Sequence, residues 1–156
     1  MITLYGVVKT LHILSGTILF GTGLGTAFYF WTAHRTGDAR IIAAVGKHII
    51  LGDWLFTASA GVLQPLTGFT LIHLSGGDVL APWLGVTYCL YVLAFACWVP
   101  VVRIQIESTK LAAASVAQDV PLPPRYFKLM RFWFWLSWPA FISLVIIVFL
   151  MVAQPA

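Results

Sequence analysis

Charge is what this sequence has least of: charged residues make up 9% of its 156 residues, and only five are acidic. A water-soluble domain carries about a quarter charged residues, so a solvated globular surface is excluded. Cysteine is also scarce. Cys89 and Cys97 are the only two, and eight residues along one helix place them about 12 Å apart, beyond the roughly 7 Å that a disulfide spans. A cystine framework is therefore excluded, and both are read as small apolar residues. Signature motifs are missing as well: no phosphate-binding Walker loop, dinucleotide fingerprint, HExxH or CxxC occurs. The four histidines are too dispersed for a clustered zinc site, and no nucleophile elbow is present.

What the chain has in abundance is apolar length. Hydrophobic residues reach 60% and mean hydropathy is +0.94. Four stretches, Leu4 to Ala33, Ile41 to Leu74, Pro82 to Ile106 and Phe127 to Ala153, are each long enough as helices for the roughly 30 Å hydrocarbon layer. The first lacks a basic start and outruns the roughly 7 to 15 apolar residues of a signal peptide, so it is read as a span. The expectation is an all-α membrane protein, an antiparallel four-transmembrane-helix bundle forming one domain over 1–156, with its longest connection near Glu107 to Tyr126. The expected location is a bacterial inner (plasma) membrane, crossed several times.

Short loops rich in Lys and Arg stay cytoplasmic. Arg35, Arg40 and Lys47 surround the first connection, and Lys110 and Arg125 the third, whereas the middle one, "HLSGGDVLAP", has neither. Both termini are thus expected on the periplasmic or extracellular side. The net charge of +4 is a topology signal and implies no nucleic-acid partner; the lipid bilayer is the expected surrounding.

Within the apolar stretches a few polar residues keep helical spacing. Asp53, Thr57, Gly61, Gln64 and Gly68 fall on one face of the second span, and Lys9, His12, Gly16, Gly23 and Thr26 on one face of the first. Small residues there, with a Gly21-to-Gly25 GxxxG beside them, let helices approach in lipid. The two faces are therefore expected to meet. An unpaired acid at mid-bilayer costs about 2.5 to 3.5 kcal/mol, so Asp53 should turn inward and find donors from Thr, Trp or Lys, as a structural clamp or as a proton-handling carboxyl. Gln64 followed by Pro65 points to a kink or a local break, with the carbonyl freed by proline satisfied by a neighbour. Trp83, Trp133, Trp135 and Trp138 read as interface anchors. Tyr88, Tyr91 and Phe95 lie deeper, as core packing or as the wall of a planar ligand's slot.

The segments "VKTLHILSGTILFGTGLGTAFYF", "DWLFT…QPLTG", "ACWVPVVRIQI" and "WPAF…VFLMVAQP" together resemble the DUF2269 family of predicted bacterial integral membrane proteins. The resemblance touches every span and implies the fold, without an activity. Arg103 departs from the aromatic residue usual at its position in that pattern. The K-x-x-H opening, Lys9 to His12, is more distantly similar to the HemJ-type protoporphyrinogen oxidases and the CopD-like copper-resistance proteins, a likeness that extends only to His12 and its neighbour.

Three functions follow as expectations. The first is a redox or electron-transfer protein holding haem b, with His12 as axial ligand to the iron, Met151 or His73 at the same level as a second ligand, and Lys9 near a propionate. The second is a proton-coupled small-molecule carrier using Asp53 and Gln64, which at four spans requires a homo-oligomer. The third is a non-catalytic subunit that holds a membrane partner through its glycine faces.

Overall fold

A computed structural model describes residues 3–155. Four long helices make up nearly all of it: α1 (Leu4–Thr36), α2 (Ala39–Ser75), α3 (Pro82–Gln118) and α4 (Pro124–Ala153). No strand occurs among the described residues. The expected all-α four-helix bundle is the fold observed.

Local chemistry sets the helix limits. Thr3 caps α1 by accepting the Gly6 amide at its Oγ1, 3.2 Å away. The turn into α2 is made by Gly37, whose φ of 69° suits a residue without Cβ, and by Asp38, whose Oδ1 accepts the Arg40 amide at 2.8 Å. Proline opens both α3 and α4, where its missing N–H has no intrahelical role. The third connection is shorter than the sequence implied. Polar residues that read as a loop, Glu107 onward, continue α3 as a helix to Gln118, because Ser108, Thr109, Ala112 and Ser115 are buried on its inner side.

The two ends of the bundle differ. At the end that carries the two basic connections, called here the basic end, Phe30, Ile42, Ala112, Tyr126, Met130 and Trp133 form a dense core. Tyr126 is fully buried there with its hydroxyl 3.1 Å from His34 Nδ1, and Arg125 pairs with Glu107 across α4 and α3. α2 and α3 approach so closely that a Cβ on Gly46 would stand 2.1 Å from Thr109 Oγ1. Toward the terminal end, the second half of α2 packs chiefly on α1, while α3 packs on α4. The bundle is therefore closed at one end and parted in its middle.

Large apolar side chains cover the outside, among them Leu63, Phe132, Trp135 and Phe149. Water would not tolerate that surface, and acyl chains would. Two expectations are corrected. Trp133 is 3% exposed and belongs to the core rather than to an interface belt, whereas Trp135 and Trp138 do lie on the outside. The GxxxG glycines, Gly21 and Gly25, face open space rather than a helix.

The contrast between glycines is testable by thermal or denaturant unfolding in detergent. Gly46→Ala should destabilise the protein by about 1–3 kcal/mol through overpacking, while Gly25→Ala should leave stability unchanged or slightly raised.

Candidate functional site

The expected meeting of the two polar faces is present, as a ladder of hydrogen bonds along the α1–α2 seam. Gln64 Nε2 donates to the His12 carbonyl at 2.7 Å and to Ser15 Oγ at 2.8 Å. His12 Nδ1 lies 2.8 Å from Thr67 Oγ1. The Thr67 hydroxyl also lies 2.6 Å from the Leu63 carbonyl and 3.2 Å from that of Gln64. Gly16 and Gly68 make room for this layer: a Cβ on Gly16 would lie 2.9 Å from Gln64 Nε2, and one on Gly68 3.3 Å from His12 Cε1.

Deeper along the seam, Asp53 is 3% exposed. Its Oδ1 accepts the hydroxyls of Thr57 at 3.1 Å and Thr26 at 3.3 Å; neither hydroxyl bonds to Oδ2. The Gln105 side chain of α3 approaches the same carboxyl. No Lys or Arg pairs with Asp53 among the described residues. Threonine thus supplies the expected donors.

The irregularity in α2 falls elsewhere than the sequence suggested. Helix continues through Pro65, and the irregular piece is a π-helical segment, Asp53–Ala58. Wider turns of this kind recur at functional sites. This one sets Asp53 and Thr57 on the inner face, both buried, with Trp54 outside. Pro65 cannot bond the Gly61 carbonyl one turn back; the Tyr91 hydroxyl of α3 donates to that carbonyl instead. Proline here fastens α2 to α3 at one point while the helix axes part around it.

That parting leaves a cleft of about 950 Å³ lined by all four helices. Its walls are apolar and kept wide by small residues, notably Gly23, Ala58, Gly61, Ala94 and Ala140. Trp54, Val62 and Leu66 of α2 and Val92 and Phe95 of α3 line it and are also exposed on the flank, so it opens sideways between helices. Asp53, Thr57, Thr26 and Gln105 give the lining a small polar patch. Of the deeper aromatics, Tyr91 and Phe95 line the cleft, while Tyr88 stacks on Phe69 with ring centroids 5.5 Å apart.

The residues singled out for iron lie elsewhere than the cleft. His12, His73, Met151 and Lys9 all lie outside the cleft lining. His73 is exposed near the end of α2, Met151 is half-buried in α4, and the Lys9 ammonium sits 5.7 Å over the Tyr5 ring. No cluster of three or more metal-ligating His, Cys, Asp or Glu side chains occurs among the described residues. Gln64 belongs to the seam and Asp53 to the cleft, so the two polar residues of α2 serve different places. Cys89 and Cys97 are free, as expected. Gln105 escaped the sequence reading, and Trp133, read there as an interface anchor, turns inward instead. Gln105 lies in "RIQI", at the very end of the third apolar stretch, and the continuation of α3 as a helix beyond it keeps it inside the bundle.

The Tyr91 link is measurable by a double-mutant cycle on unfolding. Tyr91→Phe should cost about 1 to 2 kcal/mol by orphaning the Gly61 carbonyl. In a Pro65→Ala background, where a backbone N–H is restored, the same change should cost less than half as much; equal costs in both backgrounds would refute the link.

No curated protein and no solved structure matches the chain. A family model does match, that of the predicted integral membrane proteins DUF2269, over residues 6–155. With nearly every residue of its four apolar helices inside that match, the chain belongs to the DUF2269 family of integral membrane proteins.

Proposed function

We propose that the protein receives an apolar, bilayer-borne molecule in the cleft between its four helices, and that such molecules enter sideways from the lipid. The observation that carries this reading is the cleft itself. Its volume, about 950 Å³, falls in the range of small-molecule sites, about 300–1,000 Å³. Its walls are apolar, it opens on the flank, and it carries one small polar patch. A helical bundle in lipid gains stability from close packing. One that parts its helices around Pro65 and lines the gap with small residues forgoes that gain, which a ligand would restore.

In this reading the protein lies in a bacterial plasma membrane with its basic connections on the cytoplasmic side, as the distribution of Lys and Arg favours. A proton-coupled carrier is a special case of it, with Asp53 at the cleft as the titrating group. The Gln64 side chain has no part in that version, since both its amide bonds hold α1.

A second reading keeps haem b at His12. One observation favours it: the contact of His12 Nδ1 with Thr67 Oγ1 at 2.8 Å holds the ring through that nitrogen, as an outer partner orients a ligating imidazole. A redox cofactor there would give the protein electron-transfer chemistry.

Lipid co-purification tests the first reading. Protein extracted in mild detergent should carry an apolar molecule by native mass spectrometry. Gly23→Leu, which places a side chain into open space beside the cleft, should fold normally and lose that molecule. Absorption spectroscopy tests the second: a Soret band in protein from haem-replete cells, absent in His12→Ala, supports it, and a colourless wild-type preparation rejects it.

A further inference from the structure

The cleft differs from the rest of the chain in what lines it. Ten of its thirty lining residues are aromatic, five of them tryptophans, in a chain that is 15% aromatic and holds seven tryptophans. All four helices contribute rings, and each ring except that of Trp133 is at least partly accessible. Trp54, Phe95 and Trp138 are exposed by half or more, so a molecule in the cleft meets them directly.

Anchoring at a membrane interface does not account for these rings. An aromatic belt sits at one depth, whereas the rings of α1 run from Phe20 to Trp31, about 16 Å along the helix. Nor do the rings simply follow close helix packing. The backbones of α1 and α4 scarcely meet, and rings reach across the gap: Phe20 pairs with Phe141, centroids 5.3 Å apart and planes tilted by 32°, and Trp31 with Phe134 at 5.0 Å and 36°. On α3, Phe95 and Trp98 stand 5.9 Å apart at 36°. Trp138, by contrast, is edge-on to Phe134 at 77°. The wall is thus assembled from ring pairs that cross or flank the open space.

Lipid as the competing solvent decides what such a wall can select. Acyl tails are as apolar as leucine, so a saturated molecule that leaves the bilayer for the cleft exchanges like contacts for like. A conjugated ring system does not. The bilayer interior offers it no π-face, while the cleft offers ring contacts that add to area burial, offset-stacked or edge-to-face. Aromatic side chains also have few rotatable bonds, so they form this surface at low entropic cost. We infer that the cleft is selective for planar, conjugated apolar molecules over saturated ones of the same carbon skeleton. This rests on the cleft reading above and narrows it to a chemical class. Gly23, Ala58 and Gly61 leave room beside the rings, and Trp98 and Phe141, on opposite helices, are the residues through which the preference is read.

The test is equilibrium partition of two radiolabelled probes into lipid nanodiscs holding the intact protein, measured against empty nanodiscs. Pyrene is planar and conjugated; its fully hydrogenated counterpart, perhydropyrene, has the same carbon skeleton, saturated and puckered. The expected result is an excess of pyrene over perhydropyrene of about tenfold, the size of two or three added ring contacts. Trp98→Leu and Phe141→Leu should each reduce that excess by about threefold, with perhydropyrene binding unchanged as the sign that the bundle is intact. Trp98→Phe, which keeps a ring, should retain most of the preference. Gly23→Leu should abolish pyrene binding, and a preference that survived it would place the responsible rings outside the cleft and overturn the inference. Equal binding of the two probes, both lost in Gly23→Leu, would overturn the selectivity and leave the cleft reading intact. Binding of neither probe would overturn both.

Discussion

Inside a hydrocarbon layer a polar group has no water to fall back on, and the seam between α1 and α2 answers to that constraint. Gln64 to Ser15, His12 to Thr67 and Asp53 to Thr26 form successive rungs. Partners step back along α2 by as many residues as they step forward along α1, so the rungs fix one antiparallel register. Apolar contacts alone would not do this, since lipid tails are as apolar as the side chains and offer no reason to prefer one register over the next. Gly16 and Gly68 are part of the same device, because the rungs close only if the helices come near enough for their hydrogen bonds.

The remaining helices are held differently. α3 and α4 pack along much of their length, and α2 joins α3 tightly only at the basic end, where Gly46 meets Thr109. Above that point α2 follows α1, and α3 follows α4. The π-helical segment at Asp53–Ala58 marks the level where α2 changes allegiance. The Tyr91 hydroxyl on the carbonyl freed by Pro65 limits how far the pairs separate. The cleft thus arises from two well-made helix pairs joined at one end, rather than from loose packing.

Much of this was readable in the residues. Four helices follow from apolar length, and the α1–α2 seam from polar residues recurring at helical spacing, with His12, Gln64, Asp53 and Thr26 all placed on the meeting faces. The fate of the carbonyl before Pro65 was foreseeable in kind. The cleft was not. A stripe of small residues reads the same whether helices close on it or stand back from it, and here Gly16 and Gly68 are in contact while Gly23 faces open space. Trp133 was misplaced for a related reason: a tryptophan near a helix start suits a lipid interface by sequence, and only the packing of Phe30 and Met130 around it shows that it points inward. Gln105 was hidden because it stands at the last turn of the apolar stretch, where a polar side chain reads as the approach to a loop, although the helix itself runs on to Gln118.

The most direct test of a flank-opening cleft is a density map of the protein in a lipid nanodisc. An elongated non-protein density entering between α2 and α3 and filling the space beside Gly23 and Gly61 is the expected result. A bundle in which α2 and α3 close on each other along their whole length, with Gly23 and Gly61 in helix contact and no space between, would contradict it.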